Sequence, residues 1–148
     1  MKRLFVGLLL ACNAIAITPA NTNLDMNPIP GERMRIKRGW YNEIKEAIIL
    51  VESGGDSLAL GKDNDLGLFQ ITPIRVKDYN QLTGKDYKHE DMICPEISEE
   101  IFYYYASKIG IHPITFERIA REWNGGYAGM KKASTQKYWQ KVKYFLNK

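Results

Sequence analysis

The chain has 148 residues, of which 45% are hydrophobic and 26% are charged. This composition fits one globular domain and excludes an intrinsically disordered chain. The net charge is +4, and Lys2 and Arg3 at the N-terminus supply two of these charges. Because the rest of the chain has only a small excess of positive charge, we expect no nucleic-acid partner.

Residues 1–20 have the order of a secretory signal peptide. A basic start at Lys2 and Arg3 is followed by an unbroken apolar run over residues 4–11, and small residues continue to Ala20. The apolar run is too short to span a bilayer as a helix. We therefore predict an exported protein of the periplasm or cell envelope.

Cysteine usage adds a second interpretation of this N-terminus. Residues 9–12 (Leu-Leu-Ala-Cys) resemble a bacterial lipobox, in which Cys12 would be lipidated and anchor the protein to a membrane. Cleavage after Ala16 or Ala20 is the alternative, and the sequence leaves both open. Cys94 is the other cysteine, so the mature domain contains no pair for a disulfide. We expect Cys94 to be a partly buried small apolar residue rather than a nucleophile.

Residues 21–38 contain Pro, Gly, Asn and a basic cluster without periodicity, which is typical of a linker. The folded domain is predicted to span residues 39–148. Its first helix, about 40–53, has Ile44, Ile48 and Val51 at helical spacing and ends at Gly54-Gly55.

Four further helices are predicted at about 73–82, 95–109, 115–124 and 135–146. A Gly-, Asp- and Asn-rich stretch between the first two is expected to form a loop, with a short hairpin within residues 56–69 as an option. No run of alternating strands is present. The predicted fold class is therefore mainly α.

Glu52 is the first candidate catalytic residue. It lies at the C-terminal end of the first helix, one turn after Ile48 and Ile49, so its carboxyl group should lie over two apolar side chains. Apolar surroundings and the negative end of a helix both raise the pKa of a carboxyl group. A carboxyl group that stays protonated near neutral pH is what a glycosidase needs to protonate a leaving oxygen.

Three segments, in this order, resemble the motifs of the soluble lytic transglycosylase (SLT) family, which is related to goose-type lysozyme. They are Glu-Ser-Gly at 52–54, Gly-Leu-Phe-Gln-Ile-Thr-Pro at 67–73 and Ala-Arg-Glu-Trp-Asn-Gly-Gly at 120–126. A Tyr-x-x-x-Val element follows at 138–142. The resemblance covers about residues 40–146 and implies a lysozyme-like helical domain that acts on peptidoglycan glycan strands.

The resemblance implies that Glu52 is the single catalytic acid/base and that Ser53 is its partner in the first motif. In the second motif, Gly67 would allow the backbone to approach the sugar and Gln70 would form hydrogen bonds with substrate. Phe69 stands where the family usually has Met, and would keep an apolar wall.

The third motif departs from the family at one position. Asn124 matches the family's Asn, but Trp123 replaces the usual Tyr and so removes a phenol from the site. Tyr138 is our candidate to replace that hydroxyl group. The predicted substrate-binding residues are Ser53, Gly67, Phe69, Gln70, Trp123, Asn124 and Tyr138.

The implied reaction cleaves the β-1,4 bond between N-acetylmuramic acid (MurNAc) and N-acetylglucosamine (GlcNAc) and leaves a 1,6-anhydroMurNAc end. The alternative is a hydrolytic muramidase, in which Asp56, Asp63 or Asp65 activates water, although Asp in such a loop is more often a turn former. A third option is an inactive glycan-binding module, against which the retention of Glu52 with Gln70 and Asn124 argues.

No cofactor and no metal are expected, because His89 and His112 are isolated and no cluster of ligand residues accompanies them. The expected partner is the peptidoglycan glycan strand. Wall remodelling, a secretion or conjugation machine, and a phage remain open as biological contexts.

Overall fold

The computed structural model describes residues 38–108 and 114–148, with side chains described from residue 41 onward. The predicted signal peptide (1–20), Cys12 of the lipobox and nearly all of the predicted linker lie outside the described residues, as does His112.

The described part of the chain contains five α-helices and no strand, which confirms the mainly α prediction. Two 3-10 helices, at His89–Ile93 and Gly129–Lys131, connect them. The α-helices are α1 (Arg38–Glu52), α2 (Pro73–Thr83), α3 (Pro95–Ser107), α4 (Phe116–Gly125) and α5 (Ala133–Leu146).

Local capping explains where α2 begins and ends. The Thr72 side chain accepts a hydrogen bond from the backbone N–H of Arg75, and Pro73 occupies the first turn, where a missing N–H costs nothing. At the other end Gly84 adopts φ +74° and donates its N–H to the Asn80 carbonyl. Both ends of the helix follow from the residues present.

The hydrophobic core lies among the helices, with α1 packed against α4 and α5, and α4 packed against α3 and α5. The helical stripe of α1 supplies its centre, because Ile44 and Ile48 are fully buried. The other fully buried large apolar side chains of the described residues are Phe69, Ile71, Met92, Ile101, Phe102, Ile119 and Val142.

The predicted hairpin between α1 and α2 is reduced to two isolated antiparallel bridges, Leu60 with Leu66 and Leu66 with Ile71. Leu66 takes part in both bridges. Each bridge is one residue long, so no strand forms. The Asp65 side chain accepts the backbone N–H of Asp63 and holds the turn between Leu60 and Leu66.

Arg121 fixes the end of α4 to the start of α5. This buried side chain donates from Nε to the Thr135 hydroxyl at 3.0 Å and from Nη2 to the Met130 carbonyl at 2.9 Å. Its Nη1 pairs with Glu117 at 2.8 Å. A buried guanidinium is tolerated only with such a set of partners, and it sets the position of α5 beside the third motif.

Within residues 38–108 and 114–148, no helix is both long enough and apolar enough to cross a membrane.

Candidate active site

Glu52 is the last residue of α1, as expected, and its side chain is half-buried. The residues one turn earlier, Ile48 and Ile49, are buried. Burial raises the pKa of the Glu52 carboxyl group above its usual range, and the charge of Asp65 acts in the same direction. The Tyr138 hydroxyl, the Arg75 guanidinium and the Trp123 side chain oppose the shift without reversing it.

The hydroxyl of Tyr138 donates a hydrogen bond to Oε1 of Glu52 at 2.7 Å. Tyr138 lies on α5, which packs directly against α1, so the contact depends on the docking of these two helices. Burial raises the pKa of the Tyr138 phenol well above its usual value, and the nearby Glu52 adds to the shift. The phenol is therefore a hydrogen-bond donor rather than a phenolate at physiological pH.

Trp123 lies beneath the site with only 5% of its surface exposed. Its ring makes edge contacts with Phe69 and Phe102, at centroid distances of 5.8 Å and 5.3 Å. The Arg75 guanidinium carbon stacks over the same ring, 4.0 Å from its centroid. The Trp123 ring therefore contacts both the hydrophobic core and the Arg75 guanidinium.

Arg75 was not among the residues predicted from sequence. Its Nη2 donates to the Trp123 carbonyl at 2.8 Å, and its charge is close enough to Glu52 to favour the ionised carboxylate. Burial lowers the pKa of Arg75, but a guanidinium remains charged at any physiological pH. One signal was present in the sequence: a cation in the first turn of a helix opposes the helix dipole and so needs a tertiary partner.

Ser53 links the end of α1 to the second motif. Its hydroxyl lies 2.9 Å from the Leu68 carbonyl and 3.2 Å from the Ile49 carbonyl, and it accepts the N–H of Gly55. These contacts are all with backbone, so the side chain fixes the loop next to Glu52.

The Gln70 side chain also holds the loop between α1 and α2 in place. Its Nε2 donates to the carbonyls of Ala59 and Gly67, at 3.0 Å and 3.1 Å. Both amide hydrogens therefore have protein acceptors, and the amide oxygen is the atom left for a ligand. The residue adopts φ +48°, an uncommon conformation for a residue other than glycine.

Gly67 and Phe69 are buried in the structure. A Cβ atom on Gly67 would lie 2.0 Å from the Met92 carbonyl oxygen, and φ is +77°, so only glycine fits. Phe69 is fully buried and stacks on Phe102 at a centroid distance of 4.8 Å. Contacts with other protein atoms therefore explain why glycine and phenylalanine stand at these two positions. Phe69 is connected to the site through its contact with the Trp123 ring.

Asn124 is exposed at the end of α4, next to Trp123 in the chain. Of the three loop acids, Asp56 accepts the N–H of Leu58 at 2.8 Å and Asp65 accepts that of Asp63 at 3.0 Å. These two acids are turn formers. Asp65 is half-buried and its charge acts on Glu52, whereas Asp63 is exposed.

Among the described residues, no group of three or more His, Cys, Asp or Glu side chains is arranged to hold a metal ion. The half-buried His89 begins a 3-10 helix, and its Nε2 lies 2.8 Å from the Ile71 carbonyl oxygen. Cys94 is half-buried, with its Sγ 3.1 Å from the Glu96 carboxyl group.

Comparison with known proteins gives the family of the chain. No curated protein matches the chain. The family model described as the transglycosylase SLT domain matches residues 32–145, which is most of the 148-residue chain and includes every site residue above. The chain belongs to the transglycosylase SLT domain family, whose lysozyme-like helical domains act on peptidoglycan.

Proposed function

We propose that this protein is a lytic transglycosylase that cleaves the MurNAc–GlcNAc β-1,4 bond, with Glu52 as its single acid/base. The observation that supports this most is the state of the Glu52 carboxyl group. Burial raises its pKa, and the Tyr138 hydroxyl holds its Oε1 at 2.7 Å. A raised pKa favours the protonated form that a general acid needs, and the hydrogen bond fixes the carboxyl group in one orientation.

In the first step Glu52 protonates the oxygen that bridges the two sugars. The Tyr138 hydrogen bond to Oε1 fixes the orientation of the carboxyl group that donates this proton. The bond between C1 of MurNAc and the bridging oxygen breaks, and the GlcNAc unit leaves with a free 4-hydroxyl group. The positive charge that develops at C1 is shared by the 2-acetamido group of the same sugar, a recognised substitute for a second carboxylate.

In the second step the Glu52 carboxylate accepts the proton of the MurNAc C6 hydroxyl, and O6 forms a bond to C1. This closes the 1,6-anhydro ring, returns the proton to Glu52 and consumes no water. The ionised intermediate state of Glu52 is stabilised by the Tyr138 hydrogen bond and the charge of Arg75. Two of the groups that oppose the rise in the Glu52 pKa thus lower the cost of proton donation.

A hydrolytic muramidase is the second candidate, and one observation favours it. Asp65 is close enough to Glu52 for its charge to raise the Glu52 pKa. A carboxylate opposite the acid is the residue that activates water in inverting glycosidases. Against this, an Asp65 oxygen already accepts the backbone N–H of Asp63, which gives the side chain a structural role.

The two activities are separated by mass spectrometry of digested sacculi. We expect the wild-type protein to release muropeptides with 1,6-anhydroMurNAc ends, and Glu52→Gln to lose about 10²- to 10⁴-fold in rate, as expected for a lost general acid. Glu43→Gln, which removes an exposed carboxylate from the same helix, is the matched control. Products with only reducing ends would assign the hydrolytic activity instead, and full activity of Glu52→Gln would refute both.

We also propose that the protein works outside the cytoplasm, on the strength of the signal peptide at residues 1–20. Lipidation of Cys12 would keep it at a membrane, whereas cleavage after Ala16 or Ala20 would release it. Radiolabelled fatty acid incorporated into the wild type and not into Cys12→Ser would identify the lipoprotein. Absence of label from an exported wild-type protein would identify the released form.

A further inference from the structure

A cavity of about 320 Å³ lies between α2, α3 and α4. Arg75 and Trp123 belong to its wall and also act on Glu52, so the cavity shares two residues with the candidate active site. Two apolar side chains at its edge, Ile74 and Tyr127, are 76% and 74% exposed. The rest of its wall includes Phe102, Tyr105, Ala106 and Ile119, so it is largely apolar.

Arg75 is the one basic residue among the described residues that line this cavity. Its guanidinium is held by the hydrogen bond to the Trp123 carbonyl and by stacking on the rings of Trp123 and Tyr105, at 4.0 Å and 5.5 Å. A guanidinium has five N–H donors, and this contact uses one nitrogen. No buried side-chain nitrogen in the described part of the chain lacks a partner, so any Arg75 guanidinium nitrogen without a protein partner is accessible to solvent, and Arg75 lines the cavity.

The acids that line the cavity already have partners. Asp78 accepts a short hydrogen bond from the Tyr105 hydroxyl, and Glu122 pairs with Arg118 at 2.8 Å. Arg75 forms no ion pair among the described residues. The cavity therefore presents an oriented cation whose charge no protein carboxylate pairs with directly.

We propose that Arg75 binds a carboxylate carried by the 3-O-substituent of a muramic acid residue next to the cleaved bond. This rests on the proposed function, since it assigns the part of the peptidoglycan strand that the cavity recognises. GlcNAc has no ionised group, whereas MurNAc has a lactyl group that ends either in a free carboxylate or in a peptide stem with carboxylates of its own. The planar guanidinium fork matches a carboxylate in two parallel hydrogen bonds.

Arg75 is thus a specificity residue that distinguishes muramic-acid-containing strands from neutral GlcNAc polymers. The aromatic edge of the cavity would accept the sugar ring, and the guanidinium would accept the charged substituent. A charge-assisted, bidentate contact in a partly buried site contributes about ten- to hundredfold in affinity.

The test is a set of dissociation constants measured by calorimetry in the Glu52→Gln background, in which strands are bound but not cleaved. Three probes of equal length are compared: a GlcNAc oligomer, a GlcNAc–MurNAc oligomer with free lactyl carboxylates, and the same oligomer with peptide stems. Arg75→Gln and Arg75→Lys are added to the background. Lys77→Gln is the matched control, because it removes one exposed charge from the same helix.

We expect Arg75→Gln to weaken binding of the carboxylate-bearing probes about ten- to hundredfold and that of the neutral oligomer less than about threefold. Arg75→Lys should lie between, because it keeps the charge and loses the fork, and Lys77→Gln should change nothing by more than about twofold. An effect on the lactyl probe assigns the lactyl carboxylate; an effect on the stemmed probe alone assigns the peptide.

Equal losses for neutral and charged probes, or no loss for any, would overturn the proposal. If Arg75→Gln does not fold, as shown by its melting temperature, the Arg75→Lys variant gives the same comparison. Because the readout is binding without cleavage, a wild type that yields no anhydro product would refute the proposed function and leave this test intact.

Discussion

The Tyr138 hydroxyl and the Glu52 carboxyl group lie 2.7 Å apart although 86 positions separate the two residues in the chain. The packing of α5 against α1 brings them together. Since Trp123 stands where a phenol is usual in this family, this contact gives the site a hydroxyl from a different helix. This hydrogen bond predicts that activity depends on the Tyr138 hydroxyl of α5.

Replacing Tyr138 with Phe removes this hydrogen bond and keeps the ring. We expect kcat to fall about ten- to hundredfold, because the ionised state of Glu52 loses a charge-assisted hydrogen bond. The bond also lowers the pKa of Glu52, so its loss should move the alkaline limb of the kcat/KM profile to higher pH. Tyr144→Phe, at an exposed position of the same helix, is the control, and an unchanged pH limb would contradict this role for Tyr138.

Glu52 should reduce the stability of the fold at neutral pH. Its folded pKa is raised above the unfolded value of about 4.3, so the folded state holds the proton more tightly and loses stability as pH rises through that folded pKa. Glu52→Gln keeps an acceptor for Tyr138 and cannot ionise. We expect a higher free energy of unfolding than wild type at pH 7.5, with the difference shrinking towards about pH 4.

Denaturant unfolding at both pH values measures this difference, and Glu43→Gln corrects for the loss of one charge from α1. If the gain from Glu52→Gln were the same at both pH values, the raised pKa of Glu52 would not be the cause.

Asp65→Asn tests the hydrolytic alternative. The charge of Asp65 raises the pKa of Glu52, so its removal should move the alkaline limb of the pH profile to lower pH. Because Asn can still accept the backbone N–H of Asp63, the loop should persist. We expect kcat to change less than about tenfold, compared with the 10²- to 10⁴-fold cost of removing a general base. A loss of that larger size, absent from Asp63→Asn, would show that Asp65 activates water.

Phe69 supports the site from the core, so its truncation should act first on stability. Phe69→Ala removes a fully buried ring and should cost about 3–5 kcal/mol of unfolding free energy. Phe69→Met, which restores the residue usual in the family, should cost less than about 1.5 kcal/mol. Urea unfolding with Leu60→Ala as the control distinguishes these values, since Leu60 is 68% exposed. A cost below about 1 kcal/mol for Phe69→Ala would be incompatible with the packing described.

The helices could be predicted because their signals are local. The apolar spacing in α1, the Thr72 cap and the glycines after α1, α2 and α4 determine where these elements begin and end. The position of Glu52 at the end of α1 follows from the same signals. The hairpin could not be predicted in detail. Leu66 forms bridges with both Leu60 and Ile71, and these bridges depend on the conformation of the whole loop.

The site was only partly predictable, because its contacts join residues that lie far apart in the chain. Tyr138 was proposed from family resemblance, but its contact with Glu52 depends on helix packing. Arg75 was missed because it lies just beyond the second motif, and its stacking on Trp123 joins residues 48 positions apart. Burial of Gly67 and Phe69 comes from contacts with Met92 and Phe102, which no short motif contains.

The central claim is that the C6 hydroxyl of the substrate, and not water, completes the reaction that Glu52 begins. Digestion of sacculi in water enriched with oxygen-18 tests it most directly, with the new muramic acid ends analysed by mass spectrometry. We expect 1,6-anhydro ends that contain no heavy oxygen, and we expect these ends to disappear in Glu52→Gln. Reducing ends labelled with one heavy oxygen at each cut would contradict it.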